Sequence, residues 1–132
     1  MNAGTGSGTP PGGRPEPPGV RPALAAERAS VLERVAGLER DFGDIVSASQ
    51  AANADDEHDP EGATIAYERQ HVVSLLEQAR DHLAAIDDAL SRLDKGGYGR
   101  CEVCGQPIAP ERLVARPTAA RCVVCASRRG AR

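Results

Sequence analysis

Two C-x-x-C pairs constrain this chain more than any other feature. Cys101-x-x-Cys104 and Cys122-x-x-Cys125 stand seventeen residues apart, and the other 128 residues contain no cysteine. A C-x-x-C turn presents two thiolates from one knuckle, and two knuckles supply the four soft ligands of a tetrahedral zinc shell. The spacing falls within the range of structural four-cysteine sites. Gly105, directly after the first pair, suits a turn that needs a positive φ. The pattern predicts one structural Zn2+ held by Cys101, Cys104, Cys122 and Cys125. A closed shell of four thiolates leaves no open position, so this zinc is expected to hold a small segment together and not to catalyse. A thioredoxin-like dithiol would need a single C-x-x-C within a βαβ unit, which the chain lacks. Oxidation of the thiolates with loss of the metal is a minor reading of the same residues.

The second constraint is a repeat of apolar residues. Val72, Leu76, Ala79, Leu83, Ile86, Leu90 and Leu93 alternate steps of four and three without a break. Leu24, Val31, Val35, Leu38, Phe42 and Ile45 follow the same rhythm from Val31 onward. This is an a/d seam of period 3.5. Gly37 and Gly43 weaken the first run by roughly 1 kcal/mol each relative to Ala. Neither run can bury its stripe alone. A connection of about ten residues favours an antiparallel hairpin, with arms of about 30 residues reaching about 45 Å.

The composition agrees with a narrow seam. With no Trp, one Phe and two Tyr, the chain cannot build a large aromatic core. The net charge of -3 conceals a division: Arg92 to Arg132 holds nine Lys/Arg against three Asp/Glu, and the preceding residues seven against sixteen. An acidic body with a basic end suggests two surfaces with different partners. Met1 to Pro22 contains six Gly and six Pro and no apolar run. It reads as a disordered tail and not as a signal peptide. No stretch approaches the roughly 18–20 apolar residues of a membrane helix, so a cytoplasmic protein with no membrane association is expected. The fold class that follows is mainly α: a disordered tail over 1–22, a coiled-coil hairpin over 23–95, and a four-cysteine zinc finger over 96–132.

Between the two runs lies "NADDEHDPEGAT", Asn53 to Thr64, with five acidic residues in twelve positions. Asp59-Pro60-Glu61 reads as N-cap, N1 and N2 of the second helix. Glu61 also favours the positive end of the helix dipole. The acidic cluster then occupies the hairpin tip. His58, beside Asp56 and Asp59, matches no established metal site and is expected to be solvated. His71 and His82 are expected on the surface of the second helix.

The stretch "GYGRCEVCGQPIAPERLVARPTAARCVVC", Gly97 to Cys125, resembles the zinc finger of the DksA/TraR family, bacterial regulators that bind RNA polymerase. The resemblance is carried by Tyr98-Gly99, both cysteine pairs with their separation, Ile108, Arg112-Leu113 and Ala115-Arg116-Pro117. The hairpin resembles the family's coiled coil, so the similarity covers roughly Ala23 to Cys125. It implies a zinc part that grips the rim of the polymerase secondary channel and a coiled coil that inserts into it, bringing an acidic tip towards the active centre. The family's tip motif is Asp-x-x-Asp-x-Ala. An ungapped count back from Cys101 puts Glu61 on the second acid, Ala63 on the Ala and His58 on the first Asp. The shifted register gives Asp56-x-x-Asp59 but sets Glu61 in place of the Ala. The unbroken heptads favour the ungapped register, with Glu61 and Ala63 at work and Asp59 as cap or second acid. The family also implies a guanosine tetraphosphate site of three basic residues. Arg116 matches one, as a polymerase-rim or nucleotide contact; Ala85 and Ala126 stand at the other two, so a strong response to this nucleotide is not expected.

The expected function is therefore transcription regulation through RNA polymerase, by a monomer. The alternative is a zinc module that binds nucleic acid directly, since Arg121, Arg128, Arg129 and Arg132 can meet phosphate. Against it, this end has no base-stacking aromatic and no recognition helix, so direct DNA binding is not expected. An enzyme is not expected either: the only carboxylate cluster sits on an exposed tip without a pocket or a nucleophile-base pair.

Overall fold

The computed structural model describes residues 16–53 and 60–130. Four helices follow one another: α1 (Val20–Asn53), α2 (Pro60–Lys95), α3 (Pro110–Ala115) and α4 (Val123–Gly130). Among the described residues no strand is named; one isolated antiparallel bridge joins Arg100 and Pro107. No described helix is long and apolar enough to cross a membrane. The chain is mainly α, with a long helical hairpin ahead of the cysteines, as the two heptad runs require. At 34 and 36 residues the arms are longer than the seam alone indicated; the longer would extend about 54 Å.

The chain divides into two compact units. One consists of Arg28–Ala84 and holds most of the hairpin. Here the arms run antiparallel: Glu39 pairs with Arg80 at 2.7 Å, and Asp41, Asp44 and Ile45 line one hollow with Tyr67, Glu68, His71 and Val72. Val31, Val72, Leu76 and Ala79 are buried, with 4–8% exposure. Burying a Val or Leu side chain contributes about 1.5–3 kcal/mol. The Glu39–Arg80 pair is about half exposed on both sides, and such pairs contribute under about 1 kcal/mol. The seam, then, decides the stability of this unit. Gly37 and Gly43 both lie within α1 without breaking it.

The other unit joins Met1–Glu27 to Ala85–Arg132. Leu24, Ile86 and Ala89 are fully buried in it, and Leu93 and Tyr98 nearly so. Arg21 donates to Asp94 at 2.8 Å, linking α1 to α2, and to Glu16 at 2.9 Å. The α2 helix ends in a Schellman turn. Gly96 takes φ 84°, its N–H donates to Leu93 O, and the N–H of Gly97 donates to Arg92 O at 2.9 Å, the pattern that glycine beyond a helix end permits.

One boundary differs from the sequence reading. Residues 1–15 of the expected tail lie outside the described residues, but the tail's last residues belong to the fold: α1 begins at Val20 and contains Pro22. Gly19 has φ 77°, and Val20 N–H donates to Pro17 O. A proline in the first helical turn costs no hydrogen bond, because the N–H it lacks would have had no intrahelical partner. Pro17, Pro18 and Gly19 line a hollow together with Tyr98, Pro110 and Leu113, so a stretch whose composition suggested disorder borders the cysteine module.

Candidate metal centre

The first knuckle is shaped by backbone bonds. Ile108 N–H donates to Gly99 O and Cys101 N–H to Gln106 O, both at 2.8 Å, closing the chain around the bridge at Arg100 and Pro107. Gly105 N–H returns to Cys101 O at 3.0 Å, and Gly105 takes φ 76°. A side chain there would be strained, as the position of Gly105 after Cys104 suggested. Ile108 is fully buried and packs with Cys101 and Cys125, with Leu113 and Cys122 against them.

The second knuckle is the start of a helix. Cys122 stands at the N-cap of α4, and its sulfur accepts the N–H of Cys125 at 3.5 Å; Ala126 N–H donates to Cys122 O at 2.9 Å. A helix N-terminus favours negative charge, so this placement stabilises a thiolate. In the first knuckle the Val103 N–H donates to Cys101 sulfur at 3.4 Å.

All four Sγ atoms lie within 4.8 Å of one another, with Cys104 and Cys122 3.9 Å apart. A tetrahedron with Zn–S bonds of about 2.3 Å has sulfurs about 3.8 Å apart, so the donor set fits one zinc ion. Among the described residues this is the one group of His, Cys, Asp or Glu gathered closely enough to hold a metal. Cys101 and Cys125 are buried, Cys122 is intermediate and Cys104 is exposed. The thiols differ in acidity. Amide donors of Cys104 and then Cys122 pull Cys101 down to about 6. The Cys125 N–H lowers Cys122. The hydrogen bond with Cys122 and burial push Cys125 up to about 12. In the metal-free set, Cys101 thus ionises far more readily than Cys125. A bound zinc ionises all four.

Of the remaining predicted site residues, the described Ala63 and Arg116 are not among the group gathered at this centre. Asp56 and Asp59, with His58, lie outside the described residues. Glu61 occupies the second position of α2, which begins at Pro60 as the cap pattern indicated, and Ala63 follows on an exposed part of the same helix. Arg116 is exposed just after α3. His71 and His82 are exposed on α2. The basic end carries a short helix that the sequence reading did not anticipate: α4, with Arg128 exposed. An eight-residue helix with apolar positions interrupted by Cys125 offers too little periodicity to be read from sequence. Sequence reasoning also missed Arg92. It donates to the carbonyls of Thr118 and Ala119 near the second knuckle, a contact across 26 residues with no local signal.

Residues 96–129 match the family described as the prokaryotic dksA/traR C4-type zinc finger. Over 67 residues the chain is 43% identical to the protein YteA of Bacillus subtilis, an alignment covering 51% of this chain and 28% of YteA. It is 49% identical over 43 residues to the RNA polymerase-binding transcription factor DksA of Caulobacter vibrioides, covering 33% of this chain and 30% of that protein. The matched segments thus span under a third of these two relatives. The solved structure of the transcription factor DksA2 from Pseudomonas aeruginosa superposes with a TM-score of 0.68 at 31% identity, over 84% of this chain and 80% of that one.

Proposed function

Because the chain belongs to the DksA/TraR family of zinc-finger proteins, we propose that it is a transcription regulator that binds RNA polymerase and inserts its coiled coil into the secondary channel. The observation that carries this reading is the likeness to DksA2, which extends over both the hairpin and the zinc finger at 31% identity. The charge distribution supports it. Residues 41–68, the distal part of the hairpin, contain eight Asp/Glu and no Lys or Arg. A narrow helical pair delivers such a segment into a channel that excludes a globular body, and there its carboxylates can meet basic elements or perturb a metal-bound centre. The zinc finger, with its basic end, is the anchor at the rim. Glu61 and Ala63 form the working tip together with Asp56 and Asp59, and Arg116 is a contact at the rim. The zinc is structural: four thiolates close its coordination shell and leave no open position for catalysis.

Polymerase pull-down combined with in vitro transcription tests the reading. Glu61→Ala, Asp59→Ala and Asp56→Ala are expected to retain polymerase binding and to change the effect on promoters. Variants indistinguishable from the parent in both assays would remove the tip from the mechanism. Failure of the parent to bind polymerase, with strongly salt-dependent binding to bare promoter DNA instead, would favour a nucleic-acid-binding module.

A further inference from the structure

Five consecutive carbonyls lead into the second knuckle, and all five are taken by donors from elsewhere in the same unit. The Tyr98 hydroxyl donates to Pro117 O at 2.7 Å. The two terminal nitrogens of Arg92 donate to Thr118 O at 3.4 Å and Ala119 O at 3.5 Å. The N–H of Glu102, inside the first knuckle, donates to Ala120 O at 2.9 Å. Arg112 Nε, on α3, donates to Arg121 O at 2.8 Å. Cys122 follows immediately. Residues 117–121 belong to no helix or strand, so these donors fix the segment in place of secondary structure.

Arg92 is the donor that ties this segment to α2. Its side chain is 16% exposed, its Nε donates to Asp88 at 3.0 Å, and its guanidinium carbon lies 5.8 Å from the centroid of the Tyr98 ring. The two bonds to carbonyls are long, and each alone is weak. Their effect comes from convergence: Asp88 and the Tyr98 face hold the guanidinium, and Tyr98 itself takes the adjoining carbonyl.

We propose that Arg92 and Tyr98 are positioning residues for the metal centre. They hold Pro117 to Ala119 so that Cys122 and Cys125 meet the thiolates of the first knuckle, and they couple zinc binding to order in the last turn of α2. Such coupling is reciprocal: whatever Arg92 contributes to zinc affinity, zinc returns to that turn. The proposal rests on the zinc centre alone and is independent of polymerase binding.

Zinc competition with a chromophoric chelator provides the first test. Arg92→Met keeps the aliphatic stem and removes the donors; it is expected to weaken zinc binding about tenfold, the lower end for residues that orient a metal's ligands. Tyr98→Phe moves affinity in the same direction by less. Arg80→Met, which alters an α2 arginine paired with Glu39, leaves it unchanged. Should Arg92→Met fail to fold, Arg92→Lys carries the same expectation, because one ammonium nitrogen cannot reproduce the planar fork whose three nitrogens reach Asp88, Thr118 O and Ala119 O. The second test needs no variant. Stripping zinc from the parent is expected to speed hydrogen exchange at the amides of residues 93–97, and in the Arg92 variant that zinc dependence disappears. Parent-like affinity in the Arg92 and Tyr98 variants, or exchange at 93–97 that ignores zinc, overturns the proposal.

Discussion

At the scale of single residues, the four cysteines are chemically unequal although they are spaced alike. Cys101 is held near 6 by amide donors and Cys125 near 12 by Cys122 and burial. Zinc takes thiolates, so each ligand that is still protonated in the free set must release a proton on binding. Above about 6 the Cys101 thiol is already ionised and costs nothing; below it, Cys101 takes up a proton that zinc must displace. Lowered thiols therefore support the metal above their folded pKa and lose that support as pH falls through it. Apparent zinc affinity, measured by chelator competition, should fall on acidification and fall more steeply below about 6. The knuckle geometry itself was legible in the sequence, because C-x-x-C followed by glycine specifies a local turn. The acidity differences were not, since they depend on which amides point at which sulfur.

At the scale of the elements, the heptads located the hairpin seam. Val72, Leu76, Ala79, Ile86 and Leu93 are all buried, because a two-helix pair buries one stripe per arm and only a 3.5 repeat keeps that stripe facing the partner. Fully buried Ala89 escaped the pattern: alanine is common on either face of a helix and carries little periodic signal. The start of α1 escaped for the opposite reason, since prolines that read as breakers sit where a helix tolerates them. Gly43 lies exposed within α1, and a Cβ there would meet nothing within 4 Å. Gly43→Ala should therefore stabilise the hairpin by about 1 kcal/mol, visible as a higher denaturant midpoint with an unchanged slope.

At the scale of the whole molecule, the helical seam and the cysteine knuckles rely on different forces. The seam buries apolar side chains in both units, Val31, Val72, Leu76 and Ala79 in one and Leu24, Ile86, Ala89 and Leu93 in the other, while the knuckles bury little beyond Ile108, Cys101 and Cys125. Segments with so small a core depend on metal for their folding energy. Among the described residues, helices α3 and α4 contain 14 of the 84 helical ones. Removing zinc by chelation should thus cost about one sixth of the far-ultraviolet helical signal and leave the seam folded. A near-complete loss would show that the seam cannot stand without the metal. The unequal burial of the ligands has one more consequence, in kinetics. Cys101 and Cys125 are sealed inside, whereas Cys104 faces solvent. With zinc bound, an incoming thiol or chelator would meet the Cys104 side first, and exchange of the ion would start at that vertex. How tightly the ion is held and how quickly it can be handed over are then set by different residues, and a substitution near Cys104 can change its residence time while its equilibrium occupancy stays the same.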